Sequence, residues 1–131
     1  MPKKILFVDD ETDLRKVSTL RLRKTGYDVF EASDGQEALD QARSNMPDMI
    51  FLDVFLPVMN GDEVTRILKQ DANLKKVPIV LISAASKNLE ARARSCGADD
   101  FLAKAFDPGA LVAMAEKHVG RQGVTRGQNV L

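Results

Sequence analysis

Five short apolar runs, separated by longer amphipathic stretches, constrain this chain more than any other feature. The runs cover residues 5–8, 27–32, 49–54, 77–82 and 101–103. They are too short for buried helices, and their β-branched and aromatic content favours strands. Runs that are apolar throughout are buried on both faces, as the strands of a parallel sheet are. The run 101–103 is the slightest and takes its support from its place in the series. The intervals carry helix punctuation. Asp34 with Glu37, and Asn60 with Glu63, have capping-box spacing. Ser86 stands where it can cap a helix, and Asp107-Pro108 pairs an N-cap with proline at the first helical position. Gly26 and Gly97 each fall between a helical segment and the next strand, where a left-handed residue is wanted. In the first helical segment Leu14, Val17 and Leu22 share one face, and Leu20 lies off it. A β-α alternation repeated five times predicts one α/β domain, a parallel sheet with helices on both sides.

The totals narrow the function classes. A chain of 131 residues is one domain's worth and buries a sizeable core. Its nineteen basic and nineteen acidic residues cancel, so it lacks the positive excess that draws proteins to nucleic acid or membrane surfaces. The single cysteine, Cys96, excludes an internal disulfide framework and suits a reducing cytoplasm; beside Gly97 at a helix end it reads as buried packing. The longest apolar stretches, 49–56 and 77–82, fall far short of the roughly 20 residues that span a bilayer. Lys3 and Lys4 precede only a short apolar run, not a signal-peptide core. The expectation is a cytoplasmic protein with no membrane insertion and no direct nucleic-acid contact. The domain should occupy residues 1–119. Residues 120–131 are polar and glycine-rich without periodicity, and read as a flexible tail or truncated linker. No second domain is visible, so the chain either stands alone or belongs to a larger protein.

Polar residues collect at the strand ends. In open α/β sheets, ligands bind outside the carboxyl ends of the strands. Asp9 and Asp10 close the first run, Asp53 sits near the end of the third, Ser83 ends the fourth and Lys104 ends the fifth. Taken singly, an aspartate at a strand end is more often a cap or turn former, Lys104 a solvated lysine and Ser83 a partner for a backbone group. Asp53 resists that reading, because apolar residues flank it on both sides and a carboxylate so placed is costly without a compensating charge. Three clustered carboxylates repel one another, and a hard divalent cation with one lysine is the remedy. Magnesium favours a few carboxylate oxygens, a carbonyl and retained waters. Such a site suits in-line phosphoryl transfer onto a carboxylate nucleophile. Asp53 is the candidate, since Asp9 and Asp10 are better placed for the metal.

These residues resemble the response-regulator receiver family. The matching pieces are Val8-Asp9-Asp10-Glu11, Leu52-Asp53-Val54, Leu56-Pro57-Val58-Met59-Asn60-Gly61, Ser83-Ala84 and Asp100-Phe101-Leu102-Ala103-Lys104. They lie in register over about residues 3–119. The resemblance implies a flavodoxin-like (βα)5 doubly wound sheet with strand order 2-1-3-4-5. It implies that Asp53 accepts a phosphoryl group from a histidine kinase or histidine phosphotransfer protein. Mg2+ should be held by Asp10, Asp53 and the main-chain carbonyl of Phe55, with Asp9 assisting. Lys104 should pair with the phosphoryl group, Ser83 should hydrogen-bond it, and Phe101 should then turn inward. That change should alter the face of the fourth helix, fifth strand and fifth helix toward a downstream protein, the chain being a monomer or a weak phosphorylation-dependent dimer. It would be a signalling phosphoacceptor rather than an enzyme acting on other substrates.

Two positions depart from the family. Ala105 follows the lysine where proline is usual, and Phe55 stands two after the acceptor, where a polar residue or methionine is common. A cis bond costs about 2.5–4 kcal/mol before a non-proline residue and about 0.5–1 kcal/mol before proline. A trans Lys104–Ala105 bond is therefore expected, with a displaced loop after it. Outside the motif, His118 reads as a surface residue of the last helix. A haloacid-dehalogenase-like phosphatase needs an Asp-x-Asp pair, which Phe55 breaks, and nucleotide-binding glycine loops are absent. The rival reading is a receiver-like interaction module that works without phosphate.

Overall fold

The computed structural model describes residues 2–85 and 87–120. Strands and helices alternate as β1 (Lys4–Val8), α1 (Thr12–Lys24), β2 (Asp28–Ala32), α2 (Gly35–Asn45), β3 (Met49–Asp53), α3 (Gly61–Gln70), β4 (Ile79–Ser83), α4 (Leu89–Cys96), β5 (Asp100–Ala103) and α5 (Pro108–Val119). The strands pair in parallel in the order β2-β1-β3-β4-β5. This is the flavodoxin-like order the sequence implies.

Side chains one apart on a strand point to opposite faces, and that rule divides the core. Ile5, Phe7, Met49, Phe51, Val80 and Ile82 turn toward α1 and α5, where they meet Leu22, Leu111 and Ala115. Leu6, Val8, Ile50, Leu52, Ile79 and Leu81 turn the other way, onto Ala38, Leu39, Val64, Leu68 and Ala93 of α2, α3 and α4. Cys96 packs in that second layer, buried. The Phe7 and Phe51 rings sit 5.6 Å apart between centroids on neighbouring strands. Among the described residues no helix is long and apolar enough to cross a membrane.

The punctuation is only partly used. Asp34 caps α2, accepting from the Glu37 N–H at 2.7 Å, and Glu37 reaches back to the Ser33 N–H and hydroxyl. Asp107 caps α5 through the Ala110 N–H. Asn60 stands at the N-cap of α3 but makes no side-chain capping bond. The expected Ser86 cap lies outside the described residues; α4 begins at Leu89 after Asn88, which is left-handed. Gly26 and Gly97 both have positive φ, as expected.

Three expectations shift. The fourth strand begins at Ile79 rather than at Val77, because Val77 closes a turn on the Leu74 carbonyl and Pro78 has no N–H to give. The second strand begins at Asp28, since the Tyr27 N–H is taken by the Leu22 carbonyl. In α1, Leu22 is buried but Val17 is 63% exposed; Ser18 and Thr19 take the inner positions instead. The expected tail lies outside the described residues from residue 121 onward.

Candidate functional site

β1 and β3 run in register from Ile5 beside Met49 to Val8 beside Leu52. The next residue on each is an aspartate, Asp9 and Asp53. The alternation that aims Phe7 and Phe51 at one face carries both carboxylates to that same face. Leu102 of β5 belongs to this layer, and Lys104 follows two residues on. The Lys104 N–H donates to the Ser83 carbonyl at 2.8 Å, extending the ladder one step. Its ammonium thereby reaches 2.8 Å from Asp53 Oδ2, 3.1 Å from Asp9 Oδ2 and 3.5 Å from Glu11 Oε1.

One ammonium thus serves two buried carboxylates. Burial raises the Asp53 pKa, the Lys104 hydrogen bond opposes it, and the Asp9 charge raises it again, leaving the carboxyl pushed up to about 6. Burial alone would lower the Lys104 pKa, but the hydrogen bonds and charges of Asp53 and Asp9 outweigh it and raise it well above the ordinary lysine range. The Phe55 N–H donates to Asp53 Oδ1 at 3.3 Å. Asp9 Oδ1 accepts the Glu11 N–H at 2.9 Å. Asp9 Oδ2 is buried and, although close to the ammonium, receives no directed hydrogen bond.

Asp9, Asp10 and Asp53 each offer a carboxylate oxygen, and these oxygens lie within 4.8 Å of one another. Asp9 and Asp53 are buried, while Asp10 faces solvent. An oxygen-only donor set, with one buried lone pair left without a donor, fits a hard divalent cation.

Around this centre, Ser83 is buried at the end of β4, its hydroxyl accepting from the Ala85 N–H at 3.1 Å. Phe101 stands on β5, 37% exposed. Phe55 is 50% exposed. The Arg92 guanidinium lies over its ring, 5.0 Å from the centroid, and Arg92 Nε donates to Asp62 Oδ2 at 2.7 Å. Gly61 opens α3 hard against the acceptor: a Cβ there would stand 2.3 Å from the Asp53 carbonyl oxygen. Between them, the Met59 N–H donates to the Pro57 carbonyl at 2.7 Å across Val58, whose φ is 70°. That is a γ-turn with its central residue at positive φ, a rare and strained form.

The loop after Lys104 agrees with expectation at its first bond. No peptide bond among the described residues is cis, so Lys104–Ala105 is trans. Ala105 takes φ 68°, which turns the chain so that Phe106 packs against the α1/α5 layer. His118 corrects the sequence reading. Its side chain is only 14% exposed, with Nε2 3.0 Å from Asp100 Oδ2, a carboxylate that Lys117 also holds at 2.7 Å. An apolar residue would gain nothing there, but His118 joins the end of α5 to the start of β5 by reaching a carboxylate 18 residues away.

Sequence reasoning brought Asp9, Asp10, Asp53, Ser83 and Lys104 to one sheet edge. It passed over Glu11, although the acidic run Asp9-Asp10-Glu11 was a signal. It also passed over the Asp62–Arg92–Phe55 contact, which joins three elements far apart in sequence and leaves no local pattern.

Comparison with known proteins agrees with this geometry. The model of the response regulator receiver domain matches residues 5–116. The alkaline phosphatase synthesis transcriptional regulatory protein PhoP of Bacillus subtilis is 41% identical over 109 residues, which is 82% of this chain and 45% of that protein. The chain spans about half the length of the curated relatives it matches. The crystal structure of a putative response regulator from Chloroflexus aurantiacus has a TM-score of 0.86 at 33% identity, covering 92% of this chain and all of that one (100%). The receiver domain of sensor histidine kinase PA1611 from Pseudomonas aeruginosa, solved with a magnesium ion coordinated in its active-site cleft, has a TM-score of 0.82 at 30% identity, covering 92% of this chain and 99% of that one. With the family model matched over residues 5–116 and relatives above 30% identity, the chain belongs to the receiver-domain family of two-component response regulators.

Proposed function

We propose that this receiver, ending near Val119, takes a phosphoryl group onto Asp53 from a phospho-histidine donor and signals through a change of surface. The observation that carries the reading is the shared ammonium: Lys104 Nζ stands 2.8 Å from Asp53 Oδ2 and 3.1 Å from Asp9 Oδ2, the latter buried and receiving no directed hydrogen bond. Asp9, Asp10, Asp53 and the Phe55 carbonyl would hold Mg2+, which supplies charge neutralisation for the incoming phosphoryl oxygens. Asp53 attacks phosphorus; the bond from phosphorus to the donor nitrogen breaks as the aspartyl oxygen–phosphorus bond forms, and the histidine ring keeps the electron pair. Lys104 then leaves its carboxylate partner for a phosphoryl oxygen, and Ser83 gives its hydroxyl to another. Phe101, half out of the core, turns inward and alters the α4-β5-α5 face that a downstream protein reads.

The donor would be a histidine kinase or histidine phosphotransfer protein in the cytoplasm, docking on α1 and the β5–α5 loop. A cleft of about 170 Å³ there is lined by Leu14, Val17, Arg21, Phe106, Pro108 and Leu111. The Ala105 turn shapes its rim and so bears on which donor fits. With Mg2+ and acetyl phosphate, the protein should gain one base-labile phosphate, and Asp53→Asn should abolish it. Unchanged labelling of that variant would move the nucleophile elsewhere. Absent labelling of the wild type would favour a module that works without phosphate.

A further inference from the structure

The contacts made by Phe55, close to Asp53 in the chain, are not all accounted for by transfer itself. Phe55 follows Asp53 by two residues, its N–H donates to Asp53 Oδ1 at 3.3 Å, and its side chain is half exposed. A half-exposed aromatic ring at the surface has freedom to swing. Here a cation removes it, since the Arg92 guanidinium lies 5.0 Å from the ring centroid. Arg92 is itself fixed, by a 2.7 Å bond from Nε to Asp62 Oδ2, and Asp62 sits in the first turn of α3. Asp62 Oδ1 is buried and without a hydrogen-bond partner, so among the described residues the carboxylate is held through Arg92. Arg92 is carried by α4, not by the loop that carries Phe55. Three elements therefore meet at the Phe55 side chain, two residues past the acceptor: the β3–α3 loop, α3 and α4.

The geometry points to Arg92 as a positioning residue that holds Phe55 across the solvent approach to phosphorylated Asp53, so that α4 sets how long the phosphoryl group survives. This rests on the reading of Asp53 as phosphoacceptor and adds a control on its decay. In that decay a water attacks phosphorus, the phosphorus–oxygen bond to Asp53 breaks, inorganic phosphate leaves and the free carboxylate returns. Phe55 has no group to orient or deprotonate that water and acts by occupying its path. Arg92 touches neither phosphate nor water in this scheme; it acts through the ring. Asp62 acts one step further back, by aiming Arg92.

The test uses the full chain, labelled with acetyl phosphate and Mg2+, freed of donor and followed for loss of phosphate. Arg92→Ala should lose phosphate about two- to fivefold faster than wild type, the factor corresponding to one exposed cation–π contact. Arg92→Lys, which keeps a cation within reach of ring and carboxylate, should restore most of the lifetime. Asp62→Asn should fall between them. In a Phe55→Ala background, decay should be fast and Arg92→Ala should add nothing. Equal acceleration by Arg92→Ala in both backgrounds, or none in either, overturns the proposal while labelling of Asp53 stands. Failure of the wild type to label overturns the acceptor reading and this one together. Thermal melts of the same variants identify any that lose the fold, and Arg92→Lys keeps the test open if Arg92→Ala does.

Discussion

Replacing Gly61 by alanine adds one methyl group against the backbone of the acceptor strand. The new Cβ would lie 2.3 Å from the Asp53 carbonyl oxygen, 3.0 Å from its carbonyl carbon and 3.1 Å from Val54 Cα. Ordinary contact begins near 3.4 Å, so α3 and the end of β3 must separate by about 1 Å, an overpacking that typically costs about 1–3 kcal/mol. No flexible side chain can absorb it, since all three obstructing atoms are backbone. The Gly61 N–H also donates to the Val54 carbonyl at 2.8 Å, and the Val54 N–H to the Ile82 carbonyl at 3.0 Å. The push therefore bears on the sheet pairing that sets Asp53 against Lys104. A displacement of about 1 Å at a reacting group can slow a reaction about 10²-fold. Gly61→Ala should melt several degrees below wild type, and its labelling by acetyl phosphate, measured far below that melt, should fall by one to two orders of magnitude, ~10–100-fold. Gly109→Ala is the control. There a Cβ meets only the Asp107 carboxylate oxygen at 3.2 Å, so labelling should be unchanged. Equal labelling by Gly61→Ala and wild type would refute the claim that this glycine holds the acceptor in place.

Three further outcomes follow from the same structure. Asp53 is pushed up to about 6, so in metal-free protein folding favours its protonated form over the unfolded state: that stabilisation is complete below the unfolded value near 3.8 and is lost as pH rises through 6. Asp53→Asn should therefore be more stable than wild type in chelator at pH 7 by about 1–3 kcal/mol, the gap closing toward pH 4; denaturant melts showing a pH-independent gap would contradict this. Tyr27, the single tyrosine, is raised to about 12 by burial and the Glu116 charge, and its hydroxyl donates to the Gly120 carbonyl at 2.8 Å. Its contribution should hold below about pH 10 and be lost as pH climbs through 12; an ultraviolet phenolate titration with its midpoint near 10 would exclude the effect. At Ala105, φ 68° is left-handed, so Ala105→Gly should stabilise by about 0.5–1 kcal/mol after the entropy of glycine is subtracted. Ala105→Pro cannot adopt that φ and should lower the melting temperature; a more stable proline variant would show that the loop readily takes another path.

The strand order was legible because the apolar runs are short and doubly buried, which leaves few alternatives to a parallel sheet between helices. The site was legible for a related reason. Asp9 and Asp53 continue the alternation of Phe7 and Phe51 past the end of the core, and Lys104 continues that of Leu102. Element ends were less readable. Val77 is as apolar as Val80, yet the turn that closes on Leu74 keeps it out of the strand. Val17 fits a helical stripe, but α1 lies on the sheet through Ser18, Thr19 and Leu22, small or central residues that let it approach closely. His118 and Arg92 were misread or missed because their partners, Asp100 and Phe55, are distant in sequence. A polar side chain's spacing along its own helix carries no information about a carboxylate or ring on another element.

β5 has four residues, alternately half-buried and exposed, and pairs with β4 alone at the rim of the sheet. The ammonium that balances Asp9 and Asp53 hangs from the far end of that strip. Opening β5 locally, without disturbing the other strands, would remove the ammonium that, among the described residues, pairs with both carboxylates, and leave Asp9 and Asp53 buried side by side. Readiness for chemistry is then governed by a sub-global opening equilibrium, set at the edge, rather than by the stability of the whole domain. On the phosphoacceptor reading, a substitution that frays β5 should silence the protein while most of its core stays folded, and a partner that clasps β5 should prime it by the same route.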